Sequence, residues 1–228
     1  MTVSNLKNKI TKFRFFKKTQ YGKIWNEKNG IEQNEWYSKM HDSCKAQHDI
    51  FKSFLQEKSD IATVLEVGCG TGIYPIKYQE LFSNIKYTGM DISKTAIEYC
   101  KKKSDFEFLC NDFIKINILK KYDLVFSHAV IDHVYDITAF IIKLVDVSNK
   151  YVYVSSYRGF FPNLLHHKRK WNNNDGCYYN NISVEQIKET LKETGLHDNE
   201  FTIKSVKVDN VGTDDDWQTI IMINKNQR

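Results

Sequence analysis

The chain predicts an α/β fold: a mostly parallel sheet with helices on both faces, an antiparallel C-terminal hairpin and a helical N-terminal extension. Three observations carry this prediction. Strand-like and helix-like runs alternate from about residue 61, a glycine-rich turn follows the first strand, and the last two strand-like runs flank a polar turn. At 228 residues, with 41% apolar and 27% charged side chains, the chain is long enough to bury a core and reads as one globular domain.

Residues 1–60 read as helical, with an amphipathic segment over 33–55. The first strand, TVLEV at 63–67, ends in Gly-Cys-Gly-Thr-Gly, and a helical stretch follows over 74–82. Strand 85–92, helix 93–103 and strand 106–110 come next, then strand YDLVFS at 122–127, helix 137–147 and strand YVYVS at 151–155. The pattern then breaks. Residues 158–182 are aromatic, Asn-rich and basic, too polar for a core element and long for a connection, and are expected to form an insertion on the substrate side. Ser183 with Gln186 forms a capping box for a helix over 184–193, which Gly195 closes. Runs 201–208 and 218–223 should pair antiparallel. The expected division is therefore a helical arm or lid over 1–60 and the main domain over 61–228.

Composition excludes several classes. No run approaches the roughly 18 apolar residues of a membrane span. The N-terminus lacks the apolar core of a secretory signal, and five scattered cysteines contain no CxxC pair. A cytoplasmic protein is the expectation. The net charge of +5 comes from residues 1–26, which hold seven basic and no acidic side chains. Leu6, Ile10, Phe13 and Phe16 follow helical spacing there. That arm is read as a solvated helix packed on the domain, with peripheral contact to an anionic surface as the alternative.

The chemistry-bearing positions cluster at strand ends. Gly68, Gly70 and Gly72 let the backbone turn tightly and approach a ligand. Their spacing is GxGxG, whereas a dinucleotide-binding turn is GxGxxG. Glu66, two residues earlier, suits a cationic amino acid better than a phosphate. Asp91 ends the second strand, where a carboxylate can accept both hydroxyls of a ribose. Asn111, Asp112 and Phe113 follow the third strand. Ser127, His128, Asp132 and His133 follow the fourth.

VLEVGCGTG, MDIS, NDF and YDLVFSHAVIDHV, in this order, resemble the successive motifs of class I S-adenosylmethionine-dependent methyltransferases over roughly residues 61–157. The resemblance implies a Rossmann-like, seven-stranded sheet and S-adenosylmethionine as cofactor. It places Glu66 and the turn Gly68–Cys69–Gly70–Gly72 against the methionine part. Asp91 would hold the ribose and Ile92 pack on the adenine, with Asn111, Asp112 and Phe113 at the adenine edge and Ser127 and His128 beside the methyl group. Some relatives hold a metal with two acids and a His in the fourth motif. Ala129 stands where the first acid would be, so no obligatory metal is expected, although His128, Asp132 and His133 would share a helix face as a substitute set.

Methyl transfer from a sulfonium draws much of its rate from alignment, but a hydroxyl acceptor must also lose a proton. His128 and His133 are the candidate bases, with Asp132 able to orient an imidazole. Both also fit a structural role. Acceptor contacts are expected from Tyr21, Trp25 and Tyr37 of the arm and from Tyr157, Phe161, His167, Trp171 and Tyr179 of the insertion. The expected reaction is methylation of a hydroxyl on a small molecule or sugar or glycan precursor. Alternatives are an N-methyltransferase on an amine metabolite and a non-catalytic cofactor-binding subunit. A nucleic-acid substrate is not expected, because no (Asp/Asn/Ser)-Pro-Pro-aromatic stretch follows the fourth strand and the basic excess lies in one arm.

Overall fold

A computed structural model describes residues 20–207 and 217–227. The predicted apolar stripe at Leu6, Ile10, Phe13 and Phe16, and the turn between the last two strands, lie outside the described residues. Seven strands form one sheet in the order β3-β2-β1-β4-β5-β10-β9. They are β1 (Thr63–Val67), β2 (Lys86–Asp91), β3 (Glu107–Cys110), β4 (Tyr122–His128), β5 (Ser148–Ser156), β9 (Phe201–Lys207) and β10 (Trp217–Asn224). The first five pair in parallel, and β10 is antiparallel to both β5 and β9. The strand order reverses at β1, which lies between β2 and β4, and the crevice beyond the carboxyl ends there is where such sheets bind ligands.

Period-two alternation sends β4 side chains to opposite faces. Val125 joins the core beneath α7 (Ile137–Asp146) and α8 (Val184–Glu193), while Leu124 and Phe126 join the core beneath α3 (Lys45–Glu57). On β2 to β3 the second face is covered by α6 (Lys94–Lys103), started by Ser93, whose hydroxyl caps the Ala96 amide. Ser183 likewise caps α8 through the Gln186 amide. The reciprocal half of that box is not made, because the Gln186 side chain accepts from the His167 amide instead.

Three expectations change. The helix over 74–82 divides into α4 (Ile73–Lys77) and α5 (Gln79–Phe82) at Tyr78, whose hydroxyl reaches His41. The amphipathic segment over 33–55 divides at Cys44 into α2 (Gly30–Ser43) and α3; a short α1 (Lys23–Glu27) precedes them. The insertion, expected to be too polar for a core element, builds a second sheet of order β6-β8-β7. Its strands are β6 (Phe160–Phe161), β7 (Lys168–Asn172) and β8 (Cys177–Ser183). Cys177, Asn180, Ile182 and Ser183 of β8 are buried; the Asn180 amide finds the Ile131 carbonyl on the main domain and the Ser183 hydroxyl the Leu164 carbonyl within the insertion.

Helix α3 is bound to the sheet through Phe51, which is fully buried with ring centroids 4.6 Å from Phe126, 4.7 Å from His128 and 4.8 Å from Tyr153. Phe51→Ala is expected to cost about 3–5 kcal/mol by removing this ring from a packed core, read as a lowered midpoint in urea denaturation.

Candidate active site

One cavity of about 320 Å³ opens over the carboxyl ends of β1, β2 and β4. It is lined by the N-terminal helices on one side and by the β7–β8 hairpin on another. The glycine turn forms its floor. Gly68, Gly70 and Gly72 all have positive φ, at 77°, 51° and 72°. A Cβ on Gly68 would overlap the Val130 side chain, and one on Gly70 would meet the Tyr37 ring at 3.0 Å. Only glycine satisfies both the dihedral and the contact. Gly72 does not line the cavity; it starts α4 in the left-handed conformation.

Three carboxylates from successive strand ends line this cavity. Glu66 is buried, accepts the Tyr87 hydroxyl at 2.5 Å and has its pKa pushed up to about 8, chiefly by burial. Asp91 accepts the Gly70 amide at 2.9 Å and the Ser93 amide at 2.7 Å, and burial raises its pKa. Asp112 accepts the Tyr135 hydroxyl at 3.1 Å and the Ile114 amide at 3.1 Å. Cys69, Ile92, Asn111 and Phe113 also line it.

The segment after β4 corrects the helix-face expectation. Residues 129–135 form turns, entered through Ala129 with φ 57°, a strained value for a residue with a Cβ. Asp132 is therefore not aligned with His128 for a shared ligand, and no group of three ligating side chains among the described residues is placed to hold a metal. Asp132 is also not oriented to hold an imidazole. It is fully buried, accepts the Ser156 hydroxyl at 2.6 Å and the Tyr157 and Arg158 amides at 3.3 Å, and ties this turn to the end of β5. Asn180 of β8 holds the turn from the other side, donating to the Ile131 and Val134 carbonyls at 2.9 Å each.

The two histidines differ in setting. His133 has Nδ1 at 2.8 Å from the Tyr178 carbonyl. A carbonyl only accepts, so Nδ1 carries the proton and Nε2 presents a lone pair, 3.2 Å from the Tyr157 hydroxyl. His128 also lines the cavity, but its Nδ1 meets the Ser155 hydroxyl at 2.6 Å and its Nε2 is buried without a partner among the described residues. Burial and the nearby His48 and His41 hold His128 neutral well below the usual histidine pKa.

Other expected residues separate clearly. Tyr21, Trp25, Tyr37, Tyr157 and Tyr179 line the cavity. Ser127 does not: it is fully buried and donates to the Val67 carbonyl at 2.8 Å, tying β4 to β1. Phe161, His167 and Trp171 do not reach the cavity either. Phe161 pairs with β8, His167 accepts from the Ser183 amide at 3.0 Å, and the Trp171 indole donates to Asn173 at 2.7 Å. These contacts are how the insertion folds on itself.

Gln47, His48 and Tyr74, which the motifs did not reveal, form a further wall with His41. The His41 and His48 rings stack at 3.7 Å and 4° across the α2–α3 break, and His48 Nδ1 meets the Tyr74 hydroxyl. The available signal was register: His48 falls on the Phe51 and Leu55 stripe of α3, so it had to face inward.

Comparison with known proteins follows the same lines. The family model described as a methyltransferase domain matches residues 58–195. A malonyl-[acyl-carrier protein] O-methyltransferase of Ilyobacter polytropus is 36% identical over 80 residues, 33% of this chain and 31% of the relative. An (S)-tetrahydroprotoberberine N-methyltransferase of Eschscholzia californica is 29% identical over 113 residues, 47% of this chain and 32% of that protein. The chain thus spans about a third of the length of these curated relatives. Among solved structures, magnesium protoporphyrin IX methyltransferase from Synechocystis PCC 6803 with bound SAM superposes with a TM-score of 0.55 at 18% identity. The match covers 77% of this chain and 76% of that one, a likeness of fold.

Burial, His41 and Lys77 lower the His48 pKa to about 3. The unfolded chain titrates near 6.5, so below that pH it binds a proton the folded state refuses, and stability falls until about pH 3. From pH 7 to 5 this amounts to about 2 kcal/mol. His48→Gln should therefore lose about that much less than the native chain over this interval, checked by urea midpoints at the two pH values.

Proposed function

The chain belongs to the class I S-adenosylmethionine-dependent methyltransferases, and from that membership we propose that it is an enzyme that methylates a small-molecule acceptor inside the cavity described above. The observation that carries the reading is the convergence of Glu66, the Gly68–Gly70 turn, Asp91 and Asp112 on one cavity that also contains His133 and Tyr157.

The residues fit the cofactor. Glu66 offers a carboxylate where a cationic amino acid would lie, Asp91 one where ribose hydroxyls donate, and Asp112, held by Tyr135, one at the adenine edge. The missing Cβ atoms of Gly68 and Gly70 let the Val130 side chain and the Tyr37 ring close against the turn at the cavity floor. When bound, S-adenosylmethionine supplies a methyl group on a positively charged sulfur, with a neutral thioether as leaving group.

The acceptor atom is a hydroxyl oxygen or an amine nitrogen of a small molecule, sugar or glycan precursor. A hydroxyl, or an amine that arrives as its ammonium ion, must lose a proton, and His133 Nε2 is the base: its lone pair is set by the Tyr178 carbonyl and the residue lines the cavity. Burial lowers its pKa, while Asp132 and the Tyr178 carbonyl oppose that shift, so it stays neutral and available near pH 7. In this structure the Tyr157 hydroxyl donates to that lone pair, so an acceptor takes its place at Nε2. His128, sealed against Ser155 and stacked on Tyr74 at 4.5 Å, shapes the wall.

Calorimetry with S-adenosylmethionine, S-adenosylhomocysteine and NAD tests the cofactor; binding of NAD alone would overturn the reading. Asp91→Ala is expected to weaken S-adenosylhomocysteine binding by about 1–3 kcal/mol through loss of charge-assisted hydrogen bonds. In an acceptor screen read by S-adenosylhomocysteine release, His133→Ala should lower kcat by about 10²–10⁴-fold. A larger loss for His128→Ala would reverse the assignment of the base.

A further inference from the structure

The class of acceptor can be taken further, on the basis of the methyltransferase reading above. Four acidic side chains line the cavity, and among the described residues no lysine or arginine does. Glu66, with its pKa pushed up to about 8, is mostly protonated near pH 7, and Asp112 is paired with Lys115 outside the lining. Glu66, Asp91 and Asp112 stand at or just after the ends of β1, β2 and β3, the side assigned to the cofactor. Asp175 comes from elsewhere, the β7–β8 turn, which is docked against the N-terminal segment by the Ile24 amide on the Asp175 carbonyl at 3.1 Å.

The Asp175 carboxylate is held from below and left open. The Tyr179 hydroxyl at 2.5 Å and the Asn172 amide at 2.7 Å both donate to Oδ2, so Oδ1 has no hydrogen bond among the described residues. The adjoining wall is aromatic: Trp25, Tyr157 and Tyr179 have centroids 5.6, 5.7 and 5.3 Å from the His133 ring. Aromatic faces with a carboxylate attract a cation and repel an anion. The charges acting on His133 are Asp132, Asp175 and Arg158. Arg158 lies over the Tyr179 ring at 5.3 Å, outside the cavity lining, and its own amide is bound to Asp132.

We propose that the acceptor is a small amine that enters as its ammonium ion, paired with Asp175 beside Trp25, Tyr157 and Tyr179. One N–H bond breaks and the proton passes to His133 Nε2, leaving a lone pair on nitrogen. That pair forms the N–C bond as the methyl–sulfur bond breaks, and the electrons of the broken bond stay on sulfur. The product nitrogen carries one positive charge and remains matched to Asp175. A carboxylate or phosphate acceptor would instead bring a negative charge into a cavity lined by four acids.

The test is binding to the full chain loaded with S-adenosylhomocysteine, followed by the fluorescence of Trp25 and Trp36, which both line the cavity. Phenethylamine, 2-phenylethanol and phenylacetate present the three acceptor charges on one skeleton. Phenethylamine is expected to bind about tenfold or more tighter than phenylacetate, with the alcohol between them. Asp175→Asn should erase that preference while S-adenosylhomocysteine affinity holds, which also shows that the variant is folded. Equal or tighter binding of phenylacetate, a preference that survives Asp175→Asn, or no binding of phenethylamine overturns the amine assignment. Loss of S-adenosylhomocysteine binding by the native chain would overturn the methyltransferase reading itself.

Discussion

The buried carboxylate of Asp132 joins the parts of this molecule that matter for chemistry. A fully buried charge is tolerated only when hydrogen bonds replace its water, and here one hydroxyl and two amides from the end of β5 do so. Asn180 adds two further bonds from β8 to the carbonyls on either side. The turn carrying His133 is thus fixed between the main sheet and the insertion. The Tyr178 carbonyl of the same strand β8 then sets which imidazole nitrogen carries the proton. The orientation of the His133 ring and the position of the hairpin are one structural variable.

Burial gives the cavity its electrostatic character. It raises the pKa of Glu66 and Asp91 and lowers those of His41, His48 and His128. The histidine wall is therefore neutral and polar near pH 7 and adds no fixed positive charge. The acids and the histidines act in opposite senses on stability between about pH 5 and 7. A group whose folded pKa is raised, such as Glu66, favours the folded state as pH falls, whereas the lowered histidines disfavour it.

Much of the side proposed for the cofactor was legible in the sequence. Glu66, Asp91 and Asp112 sit at strand ends whose position follows from hydrophobic runs bounded by turn residues, and Gly68 and Gly70 have no substitute at their dihedrals. The acceptor side was only partly legible. Tyr157 and Tyr179 reach the cavity, but Phe161, His167 and Trp171, drawn from the same aromatic stretch, are taken up by the hairpin's own contacts. Composition gives no sign of which ring in such a stretch faces in, because pairing register decides it. Asp132 followed the same rule: its type suggested chemistry, and its burial made it an anchor.

The sequence by itself determined the α/β class, the order of the motifs along the sheet, the capped start of α8, and the glycine-rich floor. These depend on local periodicity, capping and allowed dihedrals, which act over a few residues. Only the tertiary structure decided that His41 and His48 stack, that Asp175 lines the same cavity as His133, and that the Tyr178 carbonyl places the His133 proton on Nδ1. Those outcomes join residues as far as 45 positions apart, as His133 and Tyr178 are. Long-range packing sets them, and no local pattern in the chain records it.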